Sequence, residues 1–185
     1  MEKMAKKILV IVGSERPTGN SARLAEAFIE GAQQAGHEIT RIDIGSIHGC
    51  IGCDRCLAPE HRFSCIWNDV MAQVYERYEE WDGVCVASPI YDFMISAQAK
   101  AFFDRLYACQ FAKNRRKDAW LLLSAADLDE DVFDPTICWF RHAKVRMSGW
   151  TERGILKGYG IQHLGDADKK HPEYLDEAGK MGREA

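Results

Sequence analysis

Short apolar runs alternate along this chain with stretches in which apolar residues recur at helical spacing. Residues 7–12 form an apolar run, and behind them Leu24, Ala27, Phe28 and Ala32 mark one face of a helix that begins at Ala22 and stops at Gly36. Residues 38–44, with Ile39, Ile42 and Ile44, predict a second strand. After a long Gly- and Cys-rich loop, Asn68 or Asp69 can cap a helix that carries Val70, Met71, Val74, Tyr75 and Tyr78. A third strand spans 82–87 around Val84, Cys85 and Val86 and is ended by Ser88-Pro89. Residues 97–108 predict a third helix with Phe102, Phe103, Leu106 and Tyr107 on its buried side. A fourth strand at 120–123, a fourth helix at 131–150 and a short fifth strand at 154–158 follow. Pro172 opens a C-terminal helix with Leu175, Ala178 and Met181 on one face. Apolar strand centres alternating with helices predict an α/β sandwich of three layers around a five-stranded parallel sheet, strand order 2-1-3-4-5.

The first strand runs directly into Gly13-Ser14-Glu15-Arg16-Pro17-Thr18-Gly19-Asn20-Ser21, a loop of hydroxyls, one amide, two glycines and one arginine at a helix start. Unpaired backbone N–H groups there favour an anion. The spacing is neither G-x-G-x-x-G nor that of a P-loop with its Lys, so the hydroxyls are expected to hold the phosphate. A phosphomonoester bound in this way without a metal points to FMN in preference to ATP or NAD; the competing interpretation is a capped surface loop.

The predicted order is the flavodoxin-like one, whose ligand crevice lies at the carboxyl ends of the strands. It brings two more loops to the same edge. Ser88-Pro89-Ile90-Tyr91-Asp92-Phe93-Met94-Ile95-Ser96 sets aromatic and apolar side chains beside a rigid Pro and can form a slot for a flat ring. Ser124-Ala125-Ala126-Asp127 is small enough to admit a ligand closely.

Nearly the whole chain resembles the NAD(P)H-dependent FMN reductase and iron–sulfur flavoprotein group. The resemblance is carried by Gly13-Ser14-x-Arg16 with Gly19-Asn20-Ser21, by Cys50-Ile51-Gly52-Cys53-x-x-Cys56, by Ser88-Pro89-Ile90-Tyr91 followed by Ala97-Gln98-x-Lys100-Ala101-Phe102-x-Asp104-Arg105, and by Asp131-Val132-Phe133-Asp134. It implies FMN as cofactor and NAD(P)H as co-substrate, with electrons passed on to a quinone, flavin, metal or protein acceptor. Ser14, Arg16, Thr18, Asn20 and Ser21 then resemble the phosphate ligands, with Gly19 in the same loop. Pro89, Ile90, Tyr91, Phe93 and Met94 resemble the isoalloxazine shelf; Asp92, Ser124 and Ala125 complete the expected cofactor contacts. No catalytic side chain is expected, since the flavin carries the chemistry, and neither G-x-S-x-G nor H-E-x-x-H occurs. Asp104 and Arg105 are expected to form a helix-end pair.

Cys50, Cys53, Cys56 and Cys65 place four thiols within sixteen residues. They suit a [4Fe–4S] cluster, an all-thiolate zinc or redox-active thiols, Cys50 and Cys53 being spaced for a reversible disulfide. The eight-residue gap before Cys65 is longer than iron–sulfur flavoproteins lead one to expect. Cys85, Cys109 and Cys138 lie in apolar or helical patterns and are expected to pack. The six histidines are expected at the surface or at caps, and Lys113-Asn114-Arg115-Arg116-Lys117 in a solvated turn, with the 2′-phosphate of NADPH or an acidic partner as its alternative.

The 185 residues suit one domain, 1–185, and 46% hydrophobic and 28% charged residues are ordinary for a globular protein. A formal charge of −4 argues against nucleic acid, and strand-sized apolar runs argue against a membrane span and for a cytoplasmic protein. Expected partners are a small-molecule electron acceptor, a protein redox partner in the cluster-bearing case, and a second copy of the chain. Phe63, Trp67, Tyr91, Phe93 and Trp139 are the aromatics that a homodimer or homotetramer would share.

Overall fold

The computed structural model describes residues 4–45 and 47–185. Its elements are β1 (Lys7–Val12), α1 (Asn20–Gln34), β2 (Glu38–Asp43), α2 (Met71–Glu76), β3 (Gly83–Tyr91), β4 (Met94–Ile95), α3 (Ala97–Arg105), β5 (Asp118–Ser124), α4 (Asp134–Phe140), β6 (Thr151–Gly158), α5 (Asp166–Lys169) and α6 (Pro172–Arg183). Five parallel strands lie in the order β2-β1-β3-β5-β6. That is the predicted arrangement, with β4 added as a short antiparallel partner of the end of β3. The centres of β1, β3 and β5 are fully buried because helices cover both faces. Leu9, Ile11, Val84, Val86 and Leu121 face a core with Phe102, Phe103, Phe133 and Phe140 from α3, α4 and the turn before it. Ile8, Val10, Cys85, Trp120 and Leu122 face α1 and α6 on the other side.

Helices α1 and α6 meet backbone to backbone. A Cβ built on Gly31 would stand 2.0 Å from the carbonyl oxygen of Gly179, so only glycine allows this crossing. This contact fixes the direction in which the N-terminus of α1 points.

Three local expectations are corrected. Strand β3 does not stop at Ser88-Pro89 but continues to Tyr91 and turns into β4. Pro89 is tolerated because β1 pairs with β3 only as far as Val12 opposite Ala87, so on that side the ladder has already ended. The expected helix 131–150 is a 3-10 turn at Glu130–Phe133, the α-helix α4 and a π-helix at Arg141–Met147; Trp150 lies beyond it and donates from Nε1 to the Arg115 carbonyl. The expected helix 97–108 leaves α geometry at Leu106, which turns Tyr107 outward.

Side-chain placement differs from expectation as well. Cys85 and Cys109 are buried, but Cys138 is exposed. His37 is buried and accepts the Lys6 N–H through Nδ1. Lys117 leaves its basic run to enter the protein, where Nζ donates to the carbonyls of Tyr78, Trp81 and Asn114. Trp139 packs edge-on against Phe103 at 5.0 Å.

Candidate functional site

The loop after β1 is closed by its own backbone and polar side chains. The Gly13 N–H donates to the Ala87 carbonyl at 2.8 Å, the Gly19 N–H to the Arg16 carbonyl at 2.9 Å, and Ser14 Oγ accepts the Arg16 N–H at 3.2 Å. Helix α1 therefore starts inside the molecule, with Ser21 and Ala22 buried. No side chain caps it and no acidic residue lies in its first turn. The partial positive charge of a 15-residue helix is left for an incoming anion.

A cavity of about 190 Å³ opens on that helix start. Its walls are Ser14, Arg16, Gly19, Asn20 and Ser21 from the first loop, Pro89, Ile90 and Tyr91 from the end of β3, and Ser124 and Ala126 after β5. The three predicted loops thus share one site. Ser21 Oγ and Ser124 Oγ are hydrogen-bonded at 2.8 Å, so two of the loops touch directly. Arg16 is exposed at the rim.

Five predicted residues, Thr18, Asp92, Phe93, Met94 and Ala125, do not line this cavity. Thr18 is exposed. Ala125 is buried behind the wall and exchanges backbone hydrogen bonds with Gly158 and Ile161. Met94 turns its sulfur toward Thr136 of α4. Asp92 and Phe93 form the hairpin tip with φ of 50° and 63°, and Tyr91 and Phe93 are 55% and 54% exposed. A left-handed Phe costs about 1–2 kcal/mol, so the tip is held by what surrounds it. Asn20 lines the cavity, yet its amide is committed: Nδ2 donates to the His163 carbonyl at 2.9 Å and Oδ1 accepts the Ala167 N–H at 3.3 Å.

Two parts of the site were missed from the sequence. One is the fourth wall, Ile161, Gln162 and Leu164. It is shaped by Asp166, whose carboxylate accepts the N–H groups of His163 at 2.8 Å and Gln162 at 3.1 Å; the His163 hydrogen bond leads in holding this carboxyl down at about 2. Gly160 and Gly165, both at positive φ, were the available signal. The other is Ser96. Its hydroxyl caps α3 by accepting the Ala99 N–H at 3.1 Å and donates to the Gly13 carbonyl, while its N–H reaches Ser88 Oγ at 3.0 Å. A Ser placed just before a helical run was the signal here.

A second pocket, of about 390 Å³, lies beside α3 at its far end. Cys50, Cys53, Cys56 and Cys65 all line it, with Ile51, Ile66, Trp67, Arg105 and Tyr107 among its other walls. Left-handed backbone at Gly52, Asp54 and Phe63 bends the loop around it. Burial pushes the Cys56 thiol up, and the charges of Cys65, Cys50 and Cys53 add to the effect. Among the described residues, no three His, Cys, Asp or Glu side chains form a ready-made metal cage. Arg105 does not pair with Asp104 as expected: it pairs with Asp69, and Asp104 pairs with Lys100.

Residues 6–126 match the family model described as NADPH-dependent FMN reductase. The chain belongs to that family. Among curated relatives of this FMN reductase family member, an iron–sulfur flavoprotein of Archaeoglobus fulgidus is 35% identical over 102 residues, which is 54% of this chain and 45% of the relative. An iron–sulfur flavoprotein of Methanosarcina thermophila is 34% identical over 101 residues, 54% of this chain and 51% of the relative. The matches thus span about half the length of these relatives. Among solved structures, an NAD(P)H:quinone oxidoreductase from Methanothermobacter marburgensis superposes with a TM-score of 0.74 at 17% identity, covering 97% of this chain and 96% of that one; the likeness establishes the fold.

Proposed function

We propose that this protein is an FMN-dependent oxidoreductase that takes reducing equivalents from NAD(P)H and passes them to a small-molecule acceptor such as a quinone or a free flavin. The observation that carries the proposal is the uncapped start of α1, open to a cavity whose walls bring hydroxyls, Arg16 and the apolar shelf of Pro89, Ile90 and Tyr91 together. The donors present fit a phosphomonoester. The first-turn N–H groups, Ser14 and Ser21 would bind its oxygens, and the Arg16 guanidinium would neutralise charge from the rim. Pro89, Ile90 and Tyr91 would set the plane of the ring. Bound there, FMN supplies hydride acceptance and onward electron delivery. Ser88 and Ser96 hold the shelf against the first loop, and no side chain is required to move a proton. The exposed Tyr91 and Phe93 support a homodimer or homotetramer that covers the open side of the ring. Among the described residues, no helix is long and apolar enough to cross a membrane.

The test is a titration of metal-free protein with FMN, followed by anaerobic addition of NADH or NADPH. Saturable binding, weakened at least tenfold by Ser21→Ala or Arg16→Ala, with bleaching by a nicotinamide, is the expected result. Failure of the unaltered protein to bind FMN would overturn the proposal.

A second function, electron transfer through a cluster with a protein partner, is favoured by one specific observation: all four clustered thiols line a single pocket, in a chain whose curated relatives are named iron–sulfur flavoproteins. Cys50, Cys53, Cys56 and Cys65 would hold the cluster, which supplies one-electron storage. Iron and sulfide content after anaerobic purification, compared with that of Cys56→Ser, tests it. Iron bound equally by both proteins would exclude this ligand set.

A further inference from the structure

The side chains behind the cysteine pocket are short of hydrogen-bond acceptors. Arg105 is only 2% exposed. Its Nη1 donates to Asp69 and, at 3.2 Å, to the His48 carbonyl, but Nε and Nη2 are buried without a partner. Trp67, stacked on His48 with ring centroids 4.0 Å apart, likewise has Nε1 buried without a partner. Both residues line the pocket that the four thiols line. A buried donor left unsatisfied is costly, so three of them on two residues that line one pocket mark a place where an electron-rich group belongs. Four sulfurs are the most numerous side-chain acceptors lining this pocket; of the two carboxylates there, Asp104 is already paired with Lys100. Burial works against the Arg105 charge, yet the hydrogen bond and charge of Asp69 keep the guanidinium protonated, so a positive charge is retained behind the thiols.

We propose that Arg105 and Trp67 are positioning residues that donate hydrogen bonds to sulfur in this pocket and thereby raise the reduction potential of the four-thiol centre. Reduction places more negative charge on sulfur, whether a cluster gains one electron or a disulfide gains two electrons and one proton to become one thiol and one thiolate. Donors and a fixed cation stabilise the reduced form in either case. For a loaded cluster the inference rests on the second function above; for the metal-free thiols it stands without it.

The experiment compares the full-length protein with Arg105→Lys and Trp67→Phe. Lysine keeps the charge opposite Asp69 and loses the planar fork, whereas phenylalanine keeps the ring on His48 and loses only Nε1. Each protein is reconstituted with iron and sulfide and titrated with dithionite; in parallel, the metal-free thiols are equilibrated in dithiothreitol redox buffers. Each variant is expected to shift the equilibrium about tenfold toward the oxidised form, equivalent to about 59 mV for a one-electron cluster and about 30 mV for a two-electron disulfide. Tyr107→Phe, which alters the same pocket but no buried donor, is expected to leave the potential in place. If iron is not retained but the disulfide couple shifts, the cluster function fails and this inference stands. Unchanged potentials in both variants would overturn it. So would a wild-type protein that neither loads iron nor forms a disulfide, because the pocket would then be no sulfur redox centre.

Discussion

Replacing Asp69 by Asn removes a charge from a buried pair while changing little else. The Arg105 side chain is 1% exposed and that of Asp69 15% exposed. The Asn oxygen can still accept the Met71 N–H that Asp69 Oδ1 accepts at 3.1 Å, so that bond at the start of α2 is kept. What remains is a guanidinium that already has two unpartnered nitrogens, Nε and Nη2, and now keeps only the His48 carbonyl. Removing one member of a buried pair costs about 3–5 kcal/mol, and the partial exposure of Asp69, which lets water approach, places this case near about 3 kcal/mol. At about 2–4 °C per kcal/mol for a chain of this size, the melting temperature should fall by about 6–12 °C. Urea unfolding at pH 7 measures the loss, and Asp69→Asn/Arg105→Met should recover most of it because no isolated charge remains. Burial pushes the Asp69 carboxyl up, but the hydrogen bond and charge of Arg105 and the Met71 N–H outweigh it and leave it below the usual range. The carboxylate therefore contributes stability above its unfolded value of about 3.9. That contribution disappears as pH falls through the lower folded value, so wild type and Asp69→Asn should converge as the pH is brought below that folded value. A single variant within about 0.5 kcal/mol of wild type at pH 7 would refute the reasoning, since an exposed pair behaves that way.

Gly13→Ala would put a Cβ 2.8 Å from the Ala99 Cβ and 3.3 Å from the Ala87 carbonyl oxygen. Helix α3 must retreat, at about 1–3 kcal/mol by urea unfolding and with at least tenfold weaker FMN binding; unchanged stability would show that the contact relaxes freely. Asn20→Ala removes the two bonds that hold residues 163 and 167 against α1. FMN titration should show weaker binding; unchanged binding would show that residues 163 and 167 keep their place without those bonds. Lys144 has its Nζ 5.2 Å and 5.6 Å from the ring centroids of Phe103 and Trp150, and burial lowers its ammonium to about 8. The unfolded chain, titrating near about 10.4, binds more protons between those values, so Lys144 makes stability rise with pH over that window. Lys144→Met should flatten that slope in urea unfolding series from pH 7.5 to 10.5, and an unaltered slope would assign it to other groups.

The sheet was legible because β1, β3 and β5 are buried on both faces and carry unbroken apolar runs, a pattern that solvent exposure would have interrupted. The first loop was legible because its hydroxyls, its glycines and its place before a helix all indicate the same chemistry. The β3–β4 hairpin was not. Its turn rests on left-handed Asp92 and Phe93, and nothing local in Phe favours that conformation. The π-helix was hidden for a similar reason: residues 141–147 keep helical polarity, and their change of winding is expressed only in backbone hydrogen bonding. Arg105 was placed near its neighbour Asp104 because sequence distance was the sole guide. Its partner Asp69 arrives from 36 residues away.

Helix α3 joins the two candidate centres. At its N-terminus Ser96 ties together Gly13 and Ser88, each next to a residue, Ser14 or Pro89, that lines the cavity at the start of α1. At its C-terminus Arg105 stands behind the four thiols. Nine residues separate these ends by about 13 Å of helix. Between them Ala99, Phe102 and Phe103 are fixed in the core, so the helix cannot slide without repacking it. A change in the thiol pocket that leaves Arg105 in place should not reach the flavin cavity through the backbone, because Ser96 is held by its own hydrogen bonds to Gly13, Ser88, Ala99 and Lys100. A change that displaces α3 as a body must disturb both. Separate responses to Trp67→Phe and joint responses to Gly13→Ala are therefore consequences of the same packing.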